Sequence, residues 1–100
     1  LSNKFSKNIF WVYSLIIKNK NFNAIKLSKD LKKKGIETRP FFYPMHMQPI
    51  IKKLKLIDKN EKFPISEKIY RYGLYLPSGI GNTFNEVKEV VKQLKKIFKN

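Results

Sequence analysis

The spacing of apolar positions shifts repeatedly along this chain, and each shift marks an element. Ile9-Phe-Trp-Val-Tyr-Ser-Leu-Ile-Ile17 is an almost unbroken run of β-branched and aromatic residues. It is apolar on both alternating faces, which predicts a central strand covered on two sides. A lone domain of this size rarely covers both, so one face of that strand is expected to pack on protein mass beyond the chain. After the polar Lys18-Asn-Lys-Asn21 turn, Ala24, Leu27 and Leu31 recur at helical spacing. Asn21 or Asn23 is the expected N-cap and Gly35 the stop. Lys26, Lys29, Lys32 and Lys33 fall largely on the wet side of that helix, and Lys32 to Lys34 also complement its dipole.

Ile36 to Phe42 predicts a second strand, and Met45 to Leu56 a short helix broken near Pro49. Phe63-Pro64 opens a further helix, with Ile69 and Tyr70 toward the core and Gly73 at its end. Leu74-Tyr-Leu76 is a short third strand closed by Pro77-Ser-Gly79. Thr83-Phe-Asn-Glu86 fits a capping box, and a broad apolar stripe then runs from Phe84 through Val87, Val90, Val91, Leu94 and Ile97 to Phe98. Strand, helix, strand, small helices, strand, helix predicts an α+β fold. Its expected form is a small antiparallel or mixed sheet of about three strands with helices mainly on one face. The whole of 1–100 is read as a single domain.

Composition narrows the function classes. Eight Phe, five Tyr and one Trp in 100 residues, with 42% apolar content, argue for a core and against disorder. With no cysteine and one histidine there is no disulfide framework and no metal site to assemble. The net charge of +15 invites a nucleic acid or an anionic surface as partner. Yet only two of the 22 basic residues are arginines, and the lysines are spread over every segment beside many Ile, Asn and Phe and a single Ala. That is the pattern AT-rich codons impose on a proteome, so no specific nucleic-acid partner is expected. The longest apolar run is far below the roughly 18 residues that a membrane span needs, so neither a membrane partner nor a location other than the cytoplasm is expected. The chain begins at Leu1 with no signal pattern, as the tail of a longer protein would.

Candidate chemistry concentrates in Gly35-Ile-Glu-Thr-Arg-Pro-Phe-Phe-Tyr-Pro-Met-His46. Pro40 and Pro44 remove donors and push the residues before them toward extended geometry, a stiff segment that presents Arg39, Tyr43 and His46 near one another. Arg39 suits a phosphate or carboxylate held bidentately, or an ion pair with Glu37 or Glu67. His46 suits acid-base work or a phosphate contact, or the fixing of loop geometry. Tyr43 and Gln48 suit sugar hydroxyls or plain packing. Ser78 and Gly79 suit a loop that approaches a ligand, or simply a turn into the last helix. Nothing matches a dinucleotide fingerprint, a P-loop or a Ser-His-Asp arrangement, and no catalytic residue is assigned.

The run Arg39-Pro-Phe-Phe-Tyr-Pro-Met-His46-Met-Gln-Pro49, then Phe63-Pro-Ile-Ser-Glu67, then Gly73-Leu-Tyr-Leu-Pro-Ser-Gly79 resembles the C-terminal part of the DegT/DnrJ/StrS-type sugar aminotransferases, the perosamine synthases above all. The likeness extends from Phe10-Trp-Val-Tyr-Ser14 through the last helix. It implies the small C-terminal domain of a pyridoxal-phosphate enzyme that moves an amino group from glutamate to a keto-sugar nucleotide. It also implies a large N-terminal domain as partner, a homodimer with sites near the subunit interface, and Arg39, Tyr43 and His46 as substrate-binding residues. Such chemistry needs a Schiff-base lysine, an acidic partner for the pyridinium nitrogen and a phosphate cup. None of the twenty lysines lies in that context, so the chain alone is expected neither to hold the cofactor nor to transaminate. Two rival readings remain: a small basic nucleic-acid-binding module, and a non-catalytic remnant of the aminotransferase fold.

Overall fold

In a computed structural model, residues 3–99 are described; Leu1, Ser2 and Asn100, the ends of the expected 1–100 unit and the start of the expected tail, lie outside the described residues. Among the described residues three strands, β1 (Tyr13–Ile16), β2 (Arg39–Pro40) and β3 (Gly73–Leu76), form one antiparallel sheet in the order β1-β3-β2. The helices are α1 (Ala24–Lys32), α2 (Pro49–Lys53), α3 (Pro64–Tyr72) and α4 (Phe84–Lys99), with a 3₁₀ turn at Met45–Met47. This is the expected α+β class.

Local signals place the helix ends. The Asn23 side chain accepts from the Lys26 N–H at 2.8 Å. Beyond α1, the Gly35 N–H donates to the Lys32 carbonyl and the Ile36 N–H to that of Leu31, closing the helix with Gly35 at φ +75°. That left-handed conformation is one glycine adopts without Cβ strain. Pro64 starts α3, where a missing N–H costs nothing.

The capping box of α4 forms as spaced. The Thr83 N–H donates to Glu86 Oε2 at 2.6 Å and the Glu86 N–H to Thr83 Oγ1 at 3.3 Å. The backbone N–H bond, and then the Thr83 hydroxyl, hold the Glu86 carboxyl below its ordinary 4.5. A depressed folded pKa means that this contribution to stability is fully present above 4.5 and fades as pH falls through the lower folded value. Urea unfolding on both sides of that pH is therefore expected to lose less stability on acidification in Glu86→Gln than in the parent chain. Equal acid sensitivity of the two would remove the capping box as the cause.

The core lies on one side of the sheet. Leu74 and Leu76 of β3, with Leu15 of β1, pack against Leu27 and Leu31 of α1 and against Val90, Leu94 and Ile97 of α4. Ile17 and Ile36 close the ends. The broad stripe expected on α4 is only partly used: Phe84, Val87 and Val91 stay exposed, because the small sheet and α1 cover one edge of it. Phe98 meets Phe22 edge-on at 5.2 Å.

Two strand expectations are corrected. Ile9 to Ile17 is not a central strand: only Tyr13–Ile16 pairs, and it is an edge. Tyr13 is the partner of Leu76, the last residue of β3, and the residue after it is Pro77, which offers no N–H to continue the ladder. On the other side, Phe10 turns into the left-handed region at φ +50°, which breaks the extended run. Ile36 to Phe42 likewise contracts to Arg39–Pro40, since Pro40 has no donor. The central strand is β3, the shortest of the three expected from sequence.

Among the described residues, the opposite face of the sheet carries no helix. The radius of gyration is 16.6 Å within extents of 48 × 40 × 21 Å, against about 13 Å for a compact chain of this length. A flat slab with one bare apolar face is the result.

Candidate functional site

The uncovered sheet face forms a groove of about 690 Å³. Its floor is Tyr75, the neighbour of Arg39 in the β2–β3 register. Phe41 lies at 4.5 Å from the Tyr75 ring at an interplanar angle of 30°, and Phe42 meets the same ring edge-on at 6.2 Å. Trp11 stands on another wall. The whole segment 37–43 borders the groove, with Arg39 opposite Tyr75 in the register. The Thr38 hydroxyl donates to Ser28 Oγ of α1 at 2.9 Å and ties this segment to the helical layer.

Arg39 and Tyr43 both line this groove; His46 does not. Tyr43 packs edge-on to Tyr70 of α3 at 5.3 Å and 88°. His46, on the 3₁₀ turn, lies 4.7 Å from the Phe63 ring at 31°. Its Nε2 is 3.0 Å from Glu67 Oε1, with the side chain 14% exposed. An ionised carboxylate only accepts, so Nε2 carries the proton. Arg39 makes neither of the ion pairs considered from sequence: Glu67 is engaged by His46, and among the described residues Arg39 and Glu37 have no hydrogen-bonding or ionic partner. Proximity in the motif therefore does not become convergence, because the turn after Pro44 carries His46 toward α3.

Sequence reasoning misses Trp11 and Tyr75 as groove residues. By its pattern Trp11 belongs to a covered strand, whereas it is 69% exposed.

A second groove, of about 560 Å³, runs between the start of α1 and α3, lined by Ala24, Ile25, Pro40, Met47, Tyr70 and Leu74 among others. It is walled mainly by apolar groups, and its one carboxylate, Glu67, already has His46. The sheet-face groove is the better candidate site because it combines exposed rings with a base and an acid that have no partner among the described residues. Among the described residues no group of His, Cys, Asp and Glu has the makings of a metal site, and no helix is long and apolar enough to cross a membrane.

The chain belongs to the DegT/DnrJ/EryC1/StrS aminotransferase family, whose model matches residues 2–95. It is 33% identical over 91 residues to the GDP-perosamine synthase of Vibrio cholerae, covering 89% of this chain and 24% of that protein. The GDP-perosamine synthase of Caulobacter vibrioides is 30% identical over 92 residues, 91% of this chain and 24% of its own. That of Escherichia coli O157:H7 is 36% identical over 78 residues, 75% and 20%. The chain thus spans about a quarter of the length of the curated relatives it matches. Membership implies pyridoxal phosphate in the longer enzymes of the family. Among the described residues all twenty lysines are exposed and no polar or charged side chain is buried.

Proposed function

We propose that this chain is the small C-terminal domain of a pyridoxal-phosphate-dependent nucleotide-sugar aminotransferase, and that its bare sheet face closes one side of the substrate cleft. The observation that carries the reading is a family match over nearly the whole chain by a fold whose aromatic face, with Arg39 unpaired upon it, is left open. Exposed Phe10 and Tyr13 supply apolar surface for docking on a large domain. Cofactor, Schiff-base lysine and the amino-transfer steps then belong to that large domain, and this chain alone does not transaminate. Its own residues bind and orient. Arg39 holds an anionic group of the sugar nucleotide and Tyr43 a hydroxyl. His46, fixed by Glu67 and Phe63, sets the turn that carries Tyr43 and borders the sugar end. The assembly is a homodimer in the cytoplasm, without a specific nucleic-acid partner.

The test separates the two half-reactions of the intact enzyme. Arg39→Ala is expected to weaken use of the sugar nucleotide roughly ten- to a hundredfold, the loss of one charged hydrogen bond of about 1.5–3 kcal/mol, with the glutamate half-reaction unchanged. His46→Ala is expected to act in the same direction. If both variants keep normal sugar-nucleotide kinetics and only melt earlier, these residues are structural. An unrelated domain in place of a lysine-bearing large domain in the parent gene would overturn the reading as a whole.

A further inference from the structure

We propose that the apolar groove between α1 and α3 is a second binding site, one that takes a small amphiphilic carboxylate. The apolar body of that ligand lies against Ile25, Met47 and Tyr70, and its head meets Lys29 and Arg71. The site is separate from the substrate cleft proposed above: none of Arg39, Tyr43 and His46 lines it.

The walls favour an apolar body. A volume of about 560 Å³ lies within the roughly 300–1,000 Å³ of small-molecule sites. Ala24 and Leu74 belong to the buried core and give the groove a fixed base. Tyr70 is held edge-on by Tyr43 at 5.3 Å. Ile25 stands exposed at the mouth, and an apolar chain laid against it removes that surface from water.

The rim decides the head group. Its two polar acceptors are already engaged: Asn23 Oδ1 accepts from the Lys26 N–H at 2.8 Å, and Glu67 Oε1 from His46 Nε2 at 3.0 Å. Its donors are free. The Thr38 hydroxyl donates to Ser28 Oγ, which leaves the Ser28 proton to donate in turn. The side chains of Lys29 and Arg71 have no hydrogen-bonding or ionic partner among the described residues, and Arg71 lies over the Tyr72 ring at 5.6 Å. A carboxylate only accepts, and hydrogen bonds from charged donors are the strong ones. A cationic head would set donor against donor.

The groove lies at the β2 edge of the sheet, and Pro40 is the residue it shares with the sheet-face groove. Tyr13, offered above for docking on a large domain, belongs to β1 at the opposite edge. Docking there leaves the groove open.

The intact enzyme is titrated calorimetrically with octanoate at about 150 mM salt, which screens the general attraction of a lysine-rich surface. Saturable binding is expected. Acetate, which has the head alone, is expected to show none. The uncharged 1-octanol and the cationic octyltrimethylammonium are expected to bind about tenfold or more weaker than octanoate, the factor one charged hydrogen bond carries. Saturating glutamate or sugar nucleotide is expected not to displace octanoate. Ile25→Trp fills the groove and is expected to abolish octanoate binding while both half-reactions stay unchanged. Arg71→Gln is expected to weaken octanoate about tenfold and to leave 1-octanol unaffected, a split that a general loss of structure does not produce. Both residues are exposed, and circular dichroism checks that each variant stays folded.

Octanoate bound no more tightly than 1-octanol or octyltrimethylammonium, binding that survives Ile25→Trp, or displacement by either substrate would each overturn the proposal. So would no binding at all, the result expected if a segment of the large domain fills the groove. These results concern binding at α1 and α3 alone, so the half-reaction kinetics of Arg39→Ala decide the aminotransferase reading separately.

Discussion

Gly73→Ala is expected to cost about 3 kcal/mol or more, at or beyond the upper end of overpacking effects. For a domain of this size that lowers the melting temperature by at least roughly 12 °C. Gly73 sits at φ −95°, ψ 143°, an extended geometry open to any residue, so backbone freedom is not what it supplies. It supplies room. A Cβ built there runs into the Phe41 ring and into the backbone carbonyl of Ile69 in the last turn of α3. The ring has a way out toward the groove, whereas the carbonyl is held by the helix that leads directly into β3. Gly73→Ala combined with Phe41→Leu is therefore expected to recover only part of the loss. Thermal melting of the two variants checks this, and a single variant within about 0.5 kcal/mol of the parent, the usual range for substitutions away from such features, would mean that α3 and β3 are not packed as described. Phe41 shares the groove with Arg39. The same close approach that joins α3 to the central strand thus also seats one ring of the candidate site.

Leu27→Ala is the second large expectation, at about 2–5 kcal/mol. Leu27 is fully buried between the sheet and the helical layer, one of only seven buried apolar residues among those described. With so few anchors, little neighbouring side chain is available to fill the cavity. Against a total stability of about 5–15 kcal/mol for a typical domain, the loss is expected to leave a measurable unfolded fraction. Ile25, on the same helix, is 67% exposed, and Ile25→Ala is expected to change stability by no more than about 0.5 kcal/mol. Urea unfolding checks the pair: the midpoint should fall for Leu27→Ala and hold for Ile25→Ala, with similar slopes. Equal losses would mean that the core does not lie between α1 and the sheet.

The helix ends are legible in the sequence because their causes lie within a few residues. Asn23 bonds the amide three positions on, Gly35 relieves a left-handed turn, Pro64 opens α3, and Thr83 and Glu86 satisfy each other's backbone. The class of the fold and the one-sided helical layer follow from the same periodicities. Other features depend on what lies across the sheet. The apolar run at Ile9 to Ile17 reads as a covered central strand, but pairing ends at Tyr13 because its partner strand ends at Leu76 before Pro77. Arg39, Tyr43 and His46 read as neighbours, yet the turn after Pro44 leaves two on the sheet face and takes the third to Glu67. Glu37 and Trp11 acquire significance only once Tyr75 is placed between the edges of the sheet. Caps and stops are short-range hydrogen bonds that a sequence states outright. Strand length, edge position and the company a side chain keeps are decided by residues distant in sequence, and only the assembled sheet brings those together.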